Sequence, residues 1–155
     1  MSTSKIVIPI HREGISPDIK LFKKYTAFEN LISEVSKRDL PENVITTINK
    51  EIEILNAILE NDKVFKKRLG KAKNTIIKIL EKDLKIVPKF YYRRQWMVLG
   101  MTIFGIPIGV SLGAGIDNYG MIGVGIAVGI GVGIAIGSEM DRKAEVEGRQ
   151  LDIDV

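Results

Sequence analysis

The most regular hydrophobic pattern in the chain is an uncharged stretch near its carboxyl end. From position 123 to 137 every odd-numbered residue is Gly or Ala, and every even-numbered residue is Val or Ile. Strict alternation is formally typical of a β-strand, whereas small residues four apart lie on one face of an α-helix. The residues around this stretch favour the α-helix.

Two long apolar runs make up this part of the chain. The first covers residues 96–116 and the second covers 119–137. At about 1.5 Å per residue, each run is long enough as a helix to cross the hydrocarbon core of a bilayer, about 30 Å thick. Residues 117–120 between them read Asp-Asn-Tyr-Gly, which favours a turn. The pattern predicts a membrane hairpin. A buried hairpin within a soluble protein is the alternative, although little chain remains to cover it.

A strand interpretation of the second run fits less well. Membrane strands need about 9–11 residues and usually alternate apolar with polar side chains, but this run is longer and apolar on both faces. Pro107 lies in the first run, and two strands alone would leave open edges in lipid. A β-barrel shared between many copies stays open as the alternative. In a helix, Pro107 is expected to cause a kink, because its ring clashes with the carbonyl of Ile103.

Helical geometry arranges the small residues of the second span into two rows, about 200° apart at roughly 100° per residue. Each row forms a groove in which another backbone can approach closely. One groove can accept the hairpin partner, and the other is left for a second molecule, which predicts a homo-oligomer. The expected helix-packing residues are Gly105, Gly109 and Gly113 on the first span, Gly125, Gly129, Gly133 and Gly137 in one row of the second span, and Gly123, Ala127, Gly131 and Ala135 in its other row.

Three sequence segments carry a resemblance to a known type of protein. They are GIPIGVSLGAGIDN, GIAVGIGVGIAIG and the following SEMDRKAEVEGRQL. Through them, residues 99–143 resemble the glycine-zipper type of small bacterial membrane proteins. The resemblance implies a helical hairpin in the membrane that can oligomerise.

Charge is divided unevenly along the chain. Residues 1–94 carry 20 Lys/Arg and 12 Asp/Glu, a net charge of +8, whereas residues 95–155 carry 3 and 7, a net charge of −4. Basic residues flank the hairpin at its two outer ends and are absent from its turn. The positive-inside rule therefore places both termini in the cytoplasm and the hairpin in the inner or plasma membrane. The expected membrane-interface residues are Lys89, Tyr91, Tyr92, Arg93, Arg94, Trp96 and Tyr119.

The basic half predicts three amphipathic helices. The first covers 16–38, with Ser16 as N-cap, the second begins at Pro41, and the third follows a break at Gly70. The expected apolar faces are Ile19, Phe22, Thr26, Ile32 and Val35 on the first helix, Ile45, Ile48, Ile52, Leu55 and Leu59 on the second, and Ala72, Ile76, Ile79, Leu80, Leu84 and Val87 on the third. Residues 6–10 are expected to form a short strand or an extended arm.

The predicted fold class is therefore all-α. A cytosolic three-helix bundle or stalk (residues 1–94) precedes a two-helix transmembrane hairpin with glycine zippers (95–137) and a short charged cytosolic tail (138–155). The tail is expected to extend the second span by a few turns, until Gly148 ends the helix.

Candidate chemistry is sparse in this composition. The chain has no Cys and one His, His11, so a single copy has no disulfide, no His-based metal cluster and no catalytic triad. The spacing of Gly109, Gly113 and Gly115 imitates a nucleotide-binding loop, but leaves no room for the βαβ unit that such a loop needs. We therefore expect no enzymatic activity and no cofactor. The basic run at 63–73 favours anionic lipid over nucleic acid as a partner, with a purely solvated face as the alternative.

Two functions fit these features. The first is a membrane-embedded homo-oligomer that acts as a pore, a channel or a membrane-perturbing effector under the control of its cytosolic helical domain. The second is a non-conducting anchor or scaffold that recruits a cytosolic protein or a nucleic acid to the membrane.

Overall fold

The computed structural model describes residues 5–7, 9, 19–58 and 62–154, and most of them are helical. The fold is all-α apart from a two-stranded sheet, with two long apolar helices at its carboxyl end, as the sequence predicted. A π-helical segment, Gly100–Gly105, joins two of the helices into one continuous helix from Tyr91 to Gly115. The helices are α1 (Ile19–Ser36), α2 (Glu42–Asn56), α3 (Asp62–Leu84), α4 (Tyr91–Leu99), α5 (Ile106–Gly115) and α6 (Met121–Val146).

The chain forms two compact units. The first contains α1, α2, α3 and the chain from Leu151 onward, and the second covers Lys89–Gln150. The sequence had placed the domain boundaries at 94/95 and 137/138. In the structure, residues 89–94 and 138–150 belong with the apolar hairpin.

The first unit is built around α3, which packs against both α1 and α2. The rings of Tyr25 on α1 and Phe65 on α3 lie 5.9 Å apart between centroids. An ion pair of 2.8 Å between Arg68 and Glu51 joins α3 to α2, and its two side chains are largely buried. The fully buried side chains of this unit include Phe28, Leu31, Val35, Val44, Ile48, Ile52, Ala72, Ile76, Leu80, Val87 and Leu151.

The apolar face of α1 differs from the sequence prediction. Phe22 is 53% exposed, whereas Leu21, Tyr25 and Phe28 are buried. The prediction is confirmed at Ile32 and Val35, which are buried, but in the first half of the helix the buried residues follow the three-four spacing that begins at Leu21. On α2, Val44 is buried instead of Ile45. The predictions that concern His11, Ser16 and Leu59 lie outside the described residues.

The predicted break at Gly70 is wrong, because α3 continues through it from Asp62 to Leu84. A glycine inside a helix costs about 1 kcal/mol relative to alanine. Phe65 and Leu69 before Gly70 and Ala72 after it are all buried, so tertiary packing outweighs this local preference.

Hydrogen bonds outside the helices complete the first unit. Asn49 on α2 holds the segment 5–7, since its side chain accepts from the N–H of Val7 at 2.8 Å and donates to the carbonyl of Lys5 at 3.1 Å. At the end of α3, Lys85 is left-handed (φ 56°) and the next N–H bonds to the carbonyl of Leu80 at 3.2 Å. Strand β1 (Val87–Pro88) then pairs with β2 (Gln150–Leu151).

Candidate functional site

The second unit is an antiparallel hairpin of two helices that are long and apolar enough to cross a membrane. They are the continuous helix Tyr91–Gly115, with 25 residues, and α6, with 26. The turn between them is a helix-ending Schellman motif. Asp117 adopts the left-handed conformation (φ 50°), and the N–H of Asn118 bonds to the carbonyl of Gly113 at 2.9 Å. The turn lies where the sequence predicted it.

The two helices of the hairpin touch backbone to backbone along one row of glycines. A Cβ atom added to Gly129 would lie 2.5 Å from the nitrogen of Gly105, and one added to Gly109 would lie 2.7 Å from the Cα of Ile122. Such distances leave no room for any side chain, because the obstacle is backbone and not a flexible side-chain end. The row comprises Gly105 and Gly109 on one helix and Gly125, Gly129, Gly133 and Gly137 on the other. Gly113, which the sequence placed in the same row, faces the turn instead, where an added Cβ atom would lie 3.2 Å from the carbonyl oxygen of Asn118.

Equally close approaches continue to the open end of the hairpin. A Cβ atom on Gly133 would overlap the carbonyl of Trp96, and one on Gly137 would lie 2.5 Å from the Cα of Arg93. The close packing therefore extends past the apolar stretch, up to the basic residues at the start of α4.

Gly100 also belongs to this packing row, although it was not among the predicted helix-packing residues. A Cβ atom on Gly100 would overlap the carbonyl of Gly129, and Gly100 is five residues before Gly105. A π-helix closes its hydrogen bonds on the fifth residue, so the π-helical segment brings both glycines to the same face. In the sequence, Gly100 and Gly105 are five residues apart, whereas the predicted glycine rows have spacings of four. The spacing of five was therefore the signal that could have identified Gly100.

The π-helical segment also accommodates Pro107, where the sequence predicted a kink. Its hydrogen bonding is shifted, since the N–H of Ile106 bonds to the carbonyl of Met101, five residues earlier. The hydroxyl of Thr102 donates to the carbonyls of Val98 and Leu99, at 3.0 and 3.2 Å. A local π adjustment is a usual means of satisfying the backbone groups that a proline frees in a membrane helix, and the Thr102 hydroxyl adds hydrogen bonds just before the π-helical segment.

The second row of small residues on α6 is open. Gly123, Ala127, Gly131 and Ala135 are all exposed, and a Cβ atom added to Gly123 or Gly131 would meet nothing within 4 Å. The flanking side chains Val124, Val128, Val132 and Ile136 are exposed as well. One of the two predicted grooves is thus filled by the hairpin partner, and the other is unoccupied within the described chain.

Asp141 on α6 binds the start of α4 and so stabilises the open end of the hairpin. Its side chain is 6% exposed, and its two carboxylate oxygens accept from the backbone N–H groups of Tyr92 and Arg93, each at 3.0 Å. These N–H groups belong to the first turn of α4, where no preceding residue supplies a partner. The residue before the helix, Phe90, is left-handed and gives no side-chain cap. A carboxylate from α6 therefore caps α4 and also complements its dipole.

The predicted membrane-interface residues divide between the two ends of the hairpin. Lys89, Tyr91, Tyr92, Arg93, Arg94 and Trp96 lie around the first turns of α4, and Tyr119 lies at the turn, 66% exposed. The rings of Tyr91 and Tyr92 meet edge to face at 5.2 Å, and the Arg93 guanidinium lies 5.5 Å from the centroid of Phe90. Because Gly137 and Asp141 contact the start of α4, the basic residues that follow them on α6 lie at the same end.

The charged tail continues α6 beyond the apolar stretch, as predicted. The helix ends at Val146, Gly148 is left-handed (φ 68°), and the N–H of Arg149 bonds to the carbonyl of Ala144 at 2.8 Å. Arg142 pairs with Glu139 one turn earlier on the exposed surface, with the closer contact at 2.6 Å.

Comparison with known proteins gives no relative for this chain: no protein-family model, no curated protein and no solved structure matches it. Within the part of the chain that the structure describes, no group of three His, Asp or Glu side chains is placed to hold a metal ion. The functional interpretation therefore rests on the geometry of the hairpin.

Proposed function

We propose that this chain is an integral membrane protein of the inner or plasma membrane that assembles into a homo-oligomer through glycine-zipper helices. In this proposal the first unit is a cytosolic three-helix bundle and the protein has no enzymatic activity. The oligomer acts as a pore, a channel or a membrane-perturbing effector, and the cytosolic helical domain controls it.

The exposed surface of the hairpin supports the membrane location. Each long helix contains an apolar segment of 18 residues, and only 22% of that segment is buried within the chain. Most of its apolar side chains therefore face outward. Exposed apolar area of this extent is unfavourable in water and marks a membrane or a protein interface. At about 1.5 Å per residue, both helices exceed the roughly 30 Å of a bilayer core.

The distribution of charge supports the orientation. Lys89, Arg93 and Arg94 lie at the same end of the hairpin as Arg142 and Lys143, and the opposite end carries only Asp117. Cytoplasmic flanks of membrane helices carry an excess of Lys and Arg. Both termini are therefore proposed to be cytoplasmic.

The observation that most directly supports an oligomer is that one row of small residues on α6 is covered by the partner helix, whereas the other row is open. The row of Gly129 and Gly133 shows that this backbone tolerates direct helix contact, because the partner helix fills it completely. The row of Gly123 and Gly131 has the same small residues and an open surface. Membrane helices associate mainly through close packing of such surfaces. A second copy that offers the same row can dock there.

One substitution in the open row and one on the ridge beside it test whether the open row joins copies of the chain. Gly131→Leu fills the open row without touching the hairpin contact, and we expect it to convert the oligomer to a monomer in mild detergent. The matched control is Val132→Leu, on the neighbouring exposed ridge, which should leave the mass unchanged. Light scattering after size exclusion measures the mass, and circular dichroism checks that both variants stay helical. A monomeric wild-type chain in several detergents contradicts the proposal.

Pore formation is tested separately from assembly. Vesicles that contain the full-length protein and a self-quenched dye should leak when the wild type is present, and should leak less with Gly131→Leu. Vesicles that stay intact at high protein density would exclude a pore and favour the non-conducting alternative.

The anchor or scaffold is kept as a second candidate because of one further observation. Lys63, Lys67 and Lys71 lie four residues apart on α3, all exposed, and Lys78 and Lys82 continue on exposed positions of the same helix. A row of cations on a cytosolic helix fits an acidic protein partner or a nucleic acid. Replacement of residues 95–137 by an unrelated membrane hairpin should preserve this function, and loss of function after the exchange would contradict it.

A further inference from the structure

A pocket of about 350 Å³ lies at the open end of the hairpin, between the start of α4 and the charged part of α6. Its size falls in the range of small-molecule sites. Arg93 lines it from α4, Lys89 and Phe90 line it from the residues just before that helix, and Ser138, Arg142 and Glu145 line it from α6. All of these residues belong to one compact unit.

The pocket contains charges of both signs, and some of them already have partners. Asp141 also lines it, but both of its carboxylate oxygens bind backbone N–H groups of α4. Arg142 donates two hydrogen bonds to Glu139. The guanidinium of Arg93 lies 5.5 Å from the centroid of the Phe90 ring, and the exposed Glu145 adds a negative charge to the same pocket lining. A ligand with one negative and one positive group complements this pair.

An apolar stripe continues directly from the pocket along α6. Ile126, Ile130 and Ile134 are each four residues apart, and the next positions in the same series are Ser138 and Arg142. Residues four apart share a face of a helix, so the charged pocket lies at the head of this stripe. On the other helix, Met97 follows Arg93 by one turn and is exposed. A ligand with a charged head and long apolar chains fits this surface better than a small soluble phosphate.

We propose that this pocket binds the headgroup of an aminophospholipid, with its phosphate on Arg93 and its primary ammonium on Glu145. Lys89 adds positive charge on the phosphate side, and the acyl chains lie along the stripe of Ile130 and Ile134. This inference rests on the membrane location given under the proposed function. It predicts discrimination between phosphatidylethanolamine and phosphatidylcholine, which have the same net charge but differ in the capacity of the amine to donate hydrogen bonds.

Native mass spectrometry of the full-length protein in detergent, titrated with each lipid, tests the inference. We expect phosphatidylethanolamine to bind about fivefold more tightly than phosphatidylcholine, the effect of about one charged contact near a membrane surface. Glu145→Gln should weaken only phosphatidylethanolamine, to the level of phosphatidylcholine. Arg93→Gln should weaken both lipids about fivefold, because both carry the phosphate.

Two neighbouring residues provide matched controls. Arg94→Gln and Glu147→Gln remove the same charges one and two residues away, outside the pocket lining, and should leave both affinities within about twofold. Equal effects of Arg93→Gln and Arg94→Gln would overturn the inference, because general attraction to the surface would then explain binding. Stronger binding of phosphatidylglycerol than of phosphatidylethanolamine would overturn the contact between the ammonium and Glu145.

Two further measurements test separately whether the ligand is a lipid and whether the protein lies in a membrane. Displacement of the lipid by millimolar inorganic phosphate would overturn the lipid as ligand, because the site would then take free phosphate. Flotation of the protein with vesicles tests the membrane location by itself. A protein that floats but shows no lipid preference contradicts only the pocket, whereas a protein that does not float contradicts both proposals.

Discussion

Asp141 on α6 accepts a hydrogen bond from the backbone N–H of Tyr92 at 3.0 Å, across 49 positions of sequence. The other carboxylate oxygen takes the next N–H of α4, so one buried side chain closes the end of the hairpin opposite its covalent turn. The hairpin is thus fastened at both ends, by the turn at Asp117 and Asn118 and by this carboxylate. The glycine row holds the helices together between them.

The carboxylate of Asp141 is expected to stabilise the hairpin measurably. Asp141→Ala leaves the N–H groups of Tyr92 and Arg93 without an acceptor, and Tyr92 is buried. Loss of an N-cap and burial of an unpaired donor each cost on the order of 1–2 kcal/mol, so we expect a loss of about 2 kcal/mol in the free energy of unfolding. Unfolding of the full-length protein in mixed detergent micelles, followed by circular dichroism, measures it.

The control for Asp141 is Glu139→Ala, two residues earlier on the same helix. Within the described chain, Glu139 forms an exposed ion pair with Arg142, so its loss should have much less effect. Equal destabilisation by the two substitutions would show that the cap has no special role.

Alanine substitutions on opposite rows of α6 should have opposite effects on the hairpin. A Cβ on Gly133 overlaps the backbone of Trp96, so Gly133→Ala should push the helices apart and lower stability by about 1–3 kcal/mol. Gly131→Ala meets nothing within 4 Å and gains helix propensity, so the hairpin should be unchanged or slightly more stable. The same micelle unfolding measures both. Equal stability of the two variants would contradict the close backbone contact.

Two glycines outside the apolar stretch give a second pair of opposite predictions. Gly70 lies inside α3 with open space at its Cβ position, so Gly70→Ala should raise stability by up to about 1 kcal/mol. Gly148 is left-handed (φ 68°) at the end of α6, so Gly148→Ala should lower stability by about 1 kcal/mol despite equally open space. Thermal unfolding followed by circular dichroism distinguishes them. A fall in stability for Gly70→Ala would reveal a contact at Gly70 that the structure lacks.

The sequence predicted the hairpin well because its signals are local. Two uncharged runs and the turn residues Asp117 and Asn118 determine the helix ends that meet at the turn, and spacings of four place the glycine rows on opposite sides of α6. Two features were missed, one because it depends on tertiary structure and one because the local helical period changes. The partner of Asp141 is distant along the chain, and Gly100 joins the row only because the π-helical segment changes the helical period. The first half of the α1 face was misjudged because Phe22 and Leu21 are adjacent and both apolar, whereas Ile32 and Val35 are buried as predicted.

Disulfide cross-linking in the membrane most directly tests whether the open row joins two copies of the chain. The protein has no native cysteine, so Gly131→Cys introduces one thiol on the open row, and Ile103→Cys introduces one on the outer face of the first helix, at a position that is 56% exposed. A disulfide needs Cα atoms within about 7 Å, a distance that only close packing of two α6 helices provides. We expect covalent dimers for Gly131→Cys and few or none for Ile103→Cys. Equal cross-linking of the two variants, or none for Gly131→Cys, would contradict it.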